Sequence, residues 1–127
     1  MRQNISSGAK WEEIVGYSRA VRVGNLIEVS GTTAVDEDGN VVGENDYYTQ
    51  TKFILKKIKS AIEQAEGKME NILRTRIFVK DITAWQEVAK AHLEFFKDIK
   101  PSTSMVEVSA LIDKKLLVEI EATAIIS

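Results

Sequence analysis

No cysteine occurs in the 127 residues, so disulfides, thiolate-bound metal and thiol nucleophiles are excluded together and the redox compartment stays open. Histidine occurs once, at His92, too few for the two or three imidazoles of a usual metal site, and no acidic cluster at ligand spacing accompanies it. No metal and no cofactor are expected. Clustered positive charge is also missing: 17 Lys and Arg against 19 Asp and Glu leave a formal charge of −2 with no basic run, which makes nucleic acid a poor partner. No stretch approaches the ~20 apolar residues of a membrane span, and Met1–Ser7 lacks the apolar run of a signal peptide. Walker, GxGxxG, GxSxG and HExxH motifs are absent. The expectation is a cytoplasmic protein with no membrane partner, folded as one domain over residues 1–127, a length that buries roughly two-thirds of the unfolded surface.

What is present reads as alternating strands and helices. Arg19–Val23 and Leu26–Ser30 are β-prone runs separated by Gly24-Asn25, a pair suited to a two-residue hairpin turn. Thr32–Val35 and Val41–Val42 flank Asp36–Asn40, whose Asp-Gly pair reads as a second turn. Apolar residues recur at helical spacing from Asp46 to Ala65, with Gly67 as the expected C-terminal cap. Leu73–Lys80 alternates as a strand. Thr83, three residues before Gln86, predicts a capping box for a second helix that Pro101 bars from continuing. Ser104–Ala110 and Leu116–Ile125 are the last two strands. The order predicts an α+β fold, a mixed six-stranded sheet with two helices packed on one face.

Period-two alternation sorts the faces. In the last strand Val118, Ile120, Ala122 and Ala124 form an apolar row toward the helices, leaving Glu119, Glu121 and Thr123 opposite. The same reading puts Val106 and Val108 toward the helices and Met105 and Glu107 beside the glutamates, with Arg74, Arg76 and Phe78 joining them. This mixture of charge and large apolar groups fits either a surface covered by another chain or a solvated face with cross-strand ion pairs.

The segments Lys100–Val108 and Val118-Glu119-Ile120-Glu121-Ala122, with Gly16–Val21 and Val29-Ser30-Gly31 upstream, give the chain its resemblance to the RidA/YjgF family of imine and enamine deaminases. In that family a proline leads into one strand and a Val-Glu-Ile-Glu strand closes the sheet; a Gly-Pro-Tyr-x-x-Ala/Gly-Val segment and a Ser-Gly strand end lie upstream. The likeness runs from about Val15 to the C-terminus. It implies a chorismate-mutase-like homotrimer whose ligand clefts lie between subunits, and a small-molecule ligand that is an imine, an enamine or a 2-oxo acid.

By the same resemblance Glu119 is the expected catalytic residue, the carboxylate that activates water toward an imine carbon. Without the family it would read as half of an ion pair with Arg74 or Arg76. Tyr17 is expected to line the cleft, Ser30 and Gly31 to bring backbone to the ligand, and Thr103 and Met105 to contact it from the next-to-last strand. Thr103 is the main departure, because the family's deaminases carry a carboxylate-binding arginine there. Ala89 replaces a usual asparagine and His92 a usual tyrosine, which marks a divergent subgroup. Arg19, on the same side of its strand as Tyr17, could restore the missing charge or be a surface arginine paired to a carboxylate. The implied activity is imine hydrolysis to a carbonyl and ammonia; the alternative is a non-enzymatic ligand-binding or chaperone-like trimer. A ribonuclease, a function also attached to the family by name, lacks support in a mildly acidic chain without paired histidines.

Overall fold

In the computed structural model, which describes residues 1–127, the middle of the sheet is β6 (Val118–Ile125). It pairs antiparallel with β3 (Leu26–Thr33) on one side and β4 (Ile72–Val79) on the other. Beyond β3 lie β2 (Ala20–Val23) and β1 (Arg2–Ile5); beyond β4 lies β5 (Ser102–Glu107), giving the order β1-β2-β3-β6-β4-β5. Only β4 and β5 are parallel, and a parallel pair needs a crossover, which helix α3 (Trp85–Phe96) supplies. Helices α2 (Tyr47–Gln64) and α3 pack together, and a short helix α1 (Lys10–Val15) joins β1 to β2. The architecture is α+β with a mixed six-stranded sheet, as the sequence pattern predicts.

Alternation in β6 decides where the core sits. Val118, Ile120, Ala122 and Ala124 are wholly buried in one cluster with Ile54, Leu55, Ile58 and Ile62 of α2, while Glu119, Glu121 and Thr123 take the open face. The six strands are not quite the expected six. Residues 32 and 33 continue β3 across a bulge, and Val35 and Val41 make only an isolated bridge around a turn in which Asp36 Oδ1 accepts from Asp38 N and Asn40 N. The sixth strand is β1, whose Arg-Gln-Asn-Ile run buries only Ile5 and so carries too little alternation to read.

Several local expectations change for identifiable reasons. Leu73 sits at a register shift between Ile72 and Arg74 and is 52% exposed, so Ile72 takes the inward position. No Thr83–Gln86 box forms; Asp81 accepts from Thr83 N at 2.9 Å over one 3-10 turn, and α3 begins at Trp85. After α2 the left-handed residue is Glu66 at φ 70°, and Gly67 N donates to Ile62 O. Gly67 serves packing instead, since a Cβ there would lie 3.0 Å from Ile27 Cδ1. The Gly24-Asn25 hairpin does form, with Val23 opposite Leu26.

One buried polar side chain ties the loops to the sheet. Gln50 is fully buried, donates to Gly43 O at 3.2 Å and Lys115 O at 2.9 Å, and accepts from Leu117 N at 2.8 Å. Its amide thus anchors the entry to β6, two residues before Glu119. Replacing it with leucine would keep the volume but leave Lys115 O and Leu117 N unpaired, while Gly43 O keeps its bond from Asp46 N at 3.0 Å. The Gln50→Leu variant is expected to lose on the order of 2–4 kcal/mol in urea unfolding at fixed protein concentration.

Candidate functional site

The open face of the sheet holds a compact group of the expected residues. At the end of β3, the two residues between Val29 and Thr32 stand against a single residue, Glu121, between Ala122 and Ile120 on β6, so Ser30 and Gly31 form a bulge. Ser30 N donates to Arg19 O at 3.0 Å and Ser30 Oγ to Ser18 O at 2.6 Å, which locks the bulge to the chain entering β2. The Ser30 hydroxyl is therefore engaged by backbone. Arg19 Nη2 donates to Gly31 O at 2.6 Å, and its guanidinium carbon lies 5.7 Å from the Tyr17 ring centre, a cation–π distance. Arg19 is only 7% exposed and its Nε has no partner. It is not a solvated edge arginine.

Glu119 lies against this bulge. A Cβ on Gly31 would overlap Glu119 Oε2 and stand 3.0 Å from its Cδ, so the missing side chain at Gly31 is what admits the carboxylate. The ion-pair alternative does not form: Arg76 Nη1 pairs with Glu121 at 3.9 Å, and Arg74 Nη2 donates to Ser104 Oγ at 3.0 Å. Burial raises the Glu119 pKa, the Glu121 charge raises it further, and Arg19 opposes both. Burial lowers the Arg19 pKa against Tyr17, Glu12 and Glu119, yet a guanidinium stays charged at neutral pH. The result is a half-buried, unpaired carboxylate beside a buried cation, an arrangement suited to taking a proton from water.

Thr103 and Met105 do not belong to this group. Strand β5 runs parallel to β4 with Thr75 opposite Thr103 and Ile77 opposite Met105, so both face the helices. Three contacts fix this phase: Thr75 Oγ1 donates to Thr103 Oγ1 at 2.7 Å, Arg74 reaches Ser104 on the open face, and Glu107 Oε1 accepts from Ile82 N at 3.0 Å. The expected facing of β5 is thus reversed, and Val106 is the residue left 48% exposed. β5 is an edge strand, and with Met105 and Val106 both apolar its alternation has no clear sign. Thr103 and Met105 instead line a pocket of about 400 Å³ between β5 and α3, together with Ala89 and His92.

Two side chains that the sequence pattern did not mark hold the site in place. Glu12 on α1, 6% exposed, accepts from Ser6 Oγ at 2.9 Å and from Ser7 N and Oγ, fastening α1 to the end of β1 and so placing Tyr17. Burial raises its pKa, but the hydrogen bonds from Ser7 and Ser6 outweigh that and hold it below the ordinary value. Lys57 donates to Thr33 O at 2.8 Å and Val35 O at 3.0 Å, just beyond the bulge; burial, then the Arg19 charge, lower its pKa to about 8. The Ser6-Ser7 pair ahead of Glu12 was the only available signal, and a weak one.

The fold and the bulge-seated carboxylate define a small α+β sheet protein with polar chemistry on one open face. A family profile described as Endoribonuclease L-PSP matches residues 8–126. Rv2704 of Mycobacterium tuberculosis, a member of the YjgF/YER057c/UK114 family, superposes with a TM-score of 0.92 at 47% identity over 99% of this chain and 100% of that one. The YjgF gene product of E. coli gives 0.81 at 30% identity, covering 98% and 93%. A RutC family protein of Pyrococcus abyssi is 32% identical over 108 residues, 85% of this chain and 84% of its own. The chain belongs to the RidA/YjgF family.

The seat of Glu119 on Gly31 is testable without activity. In Gly31→Ala only the flexible end of Glu119 must move, so the protein is expected to fold while its carboxylate swings toward solvent. NMR titration of the Glu119 carboxyl should then show its pKa falling toward the ordinary value. A wild-type titration in the variant would mean that Gly31 does not set the position of the carboxylate.

Proposed function

We propose that the protein binds a small imine, enamine or carbonyl compound in clefts between subunits of a homotrimer and hydrolyses imines, with Glu119 as general base. The observation that carries this reading is the unpaired carboxylate of Glu119, seated on Gly31 beside Tyr17 and Arg19. In the proposed reaction Glu119 takes a proton from water as the water oxygen adds to the imine carbon, and passes it to the nitrogen to which the C=N electron pair moves, giving a neutral hydroxy-amine adduct. Glu119 then takes the hydroxyl proton of this adduct as the carbonyl forms and the carbon–nitrogen bond breaks, and that proton passes to the departing nitrogen, so that carbonyl compound and ammonia leave and the carboxylate is restored.

The trimer enters for a geometric reason. Glu119 and Arg19 lie on the open face, Thr103 and Met105 on the helix face, so one copy cannot bring both sets to one ligand. A second copy laid on the open face would join them, and the exposed Val106 and the half-buried Phe78 and Leu117 there favour such cover. RNA cleavage, suggested by the family profile's description, is less favoured. The single histidine is engaged with Thr75 at 2.9 Å, its pKa lowered by burial, and the chain carries a charge of −2.

Ammonia release from small imines generated in solution tests the chemistry. Glu119→Gln is expected to lower turnover about a hundredfold or more while sedimentation still shows a trimer. The wild-type rate should rise with pH through a midpoint above that of an ordinary carboxylate, because the base must be ionised and its pKa is raised. A monomer at micromolar concentration would remove the shared cleft, and unchanged turnover in a folded trimer would remove Glu119 as the base.

Arg19 is proposed to hold the anionic end of a 2-oxo acid. Arg19→Ala is expected to weaken pyruvate binding about tenfold in calorimetry, the loss of one charged hydrogen bond. Arg19→Lys, which keeps the charge without the fork, should recover part of it. Equal affinities for all three proteins would favour a neutral ligand.

A further inference from the structure

We infer that the pocket between β5 and α3 receives an apolar group of the ligand, a branched aliphatic or aromatic side chain, and not its anionic end. This deepens the carbonyl-ligand reading above and rests on it. The pocket, about 400 Å³, falls in the size range of small-ligand sites, ~300–1,000 Å³. Its walls are Ile77, Leu93, Phe96 and Met105, with Ala89 and Pro101. The Phe96 and His92 rings pack 4.5 Å apart, centre to centre.

The polar groups within the pocket largely satisfy one another. Thr75 Oγ1, fully buried, donates to Thr103 Oγ1 at 2.7 Å and shares a hydrogen bond with His92 Nε2 at 2.9 Å. Burial lowers the His92 pKa, so the ring is neutral near pH 7. Thr103 keeps one hydroxyl proton to offer. That suffices to orient a neutral oxygen but cannot replace the paired, charge-assisted bonds that a carboxylate takes from an arginine. Lys97 and Lys100 also border the pocket, but both are exposed, so their stems extend the apolar wall while their ammonium groups stay in water. An anion moved inward from them would lose water and gain no fixed partner. Ala89, His92 and Thr103, three positions at which the chain departs from the family pattern, all line this one pocket.

The test uses the full-length protein with isotope-labelled methionine methyl groups, Met105 being assigned through Met105→Leu. The probes form two pairs that differ in the same branched side chain: pyruvate with 4-methyl-2-oxopentanoate, and acetone with 4-methyl-2-pentanone. Acetate serves as a bare anion. In each pair the branched compound is expected to bind about tenfold tighter or more and to shift the Met105 methyl signal. Ala89→Phe, which fills the pocket from the helix side, and Leu93→Ser, which removes an exposed wall, should each shrink that ratio. Equal affinity within both pairs, an unmoved Met105 signal, or an equal shift with acetate would overturn the inference. Should only the neutral pair bind, with its ratio intact, the apolar pocket stands and the role given to Arg19 falls. Loss of Glu119-dependent ammonia release would leave these affinities untouched, so the two readings fail separately.

Discussion

Strand β6 is held between β3 and β4, and its alternation is the constraint on which the rest of the molecule depends. Because it is paired on both edges and covered by α2 on one face, its phase cannot slip by one residue without driving Glu119 and Glu121 into the core and exposing Ile120 and Ala122. Everything on the open face inherits that phase. The β3 bulge at Ser30-Gly31 then breaks the neighbouring alternation at one place only, and there a strand without a side chain meets the carboxylate of Glu119. Gln50 protects the arrangement from behind by anchoring the chain as it enters β6.

The charges on that face are divided by geometry. Arg76 is opposite Glu121 and pairs with it; Arg74 is opposite Thr123 and turns to Ser104; Phe78 is the residue opposite Glu119. The remaining cation, Arg19, lies on the far side of the bulge and is bound to the Gly31 carbonyl. Glu119 is thus left near positive charge but without a partner, and burial holds its proton more tightly than usual. Structural ion pairs exist elsewhere on the surface, as between Lys115 and Glu44 at 3.0 Å, so their absence at Glu119 is a local property of the register.

A single copy separates two kinds of surface. One face carries Tyr17, Arg19 and Glu119, where charge and hydrogen bonding dominate. The other has a pocket whose polar groups are turned on one another and whose walls are apolar. Membership in the RidA/YjgF family places this division on a known scaffold. In the trimer and the reaction proposed above, a proton-handling half contributed by one subunit and a side-chain-recognising half by its neighbour would let the chemistry stay constant while the pocket changes specificity. Threonine in place of arginine at position 103 would then alter what is recognised more than how it reacts.

Much of this was legible in the residues because the physics is local. The apolar row Val118, Ile120, Ala122 and Ala124 can only face a core, and the helical spacing over Asp46–Ala65 can only bury one stripe; together they determine the core face of the last strand, the covering helix and the outward direction of Glu119. Gly24-Asn25 likewise set its own hairpin. The facing of β5 was not legible, since Met105 and Val106 are both apolar and an edge strand takes its phase from the neighbour it pairs with. Nor was β1, which is polar except at Ile5, or the clamp of Ser6 and Ser7 on Glu12. Sequence by itself determined which side chains are available to the site. Only the tertiary structure decided that Thr103 and Met105 stand across the sheet from Glu119, because parallel register and a bulge depend on strands far apart in the chain, and no periodicity within either strand records them.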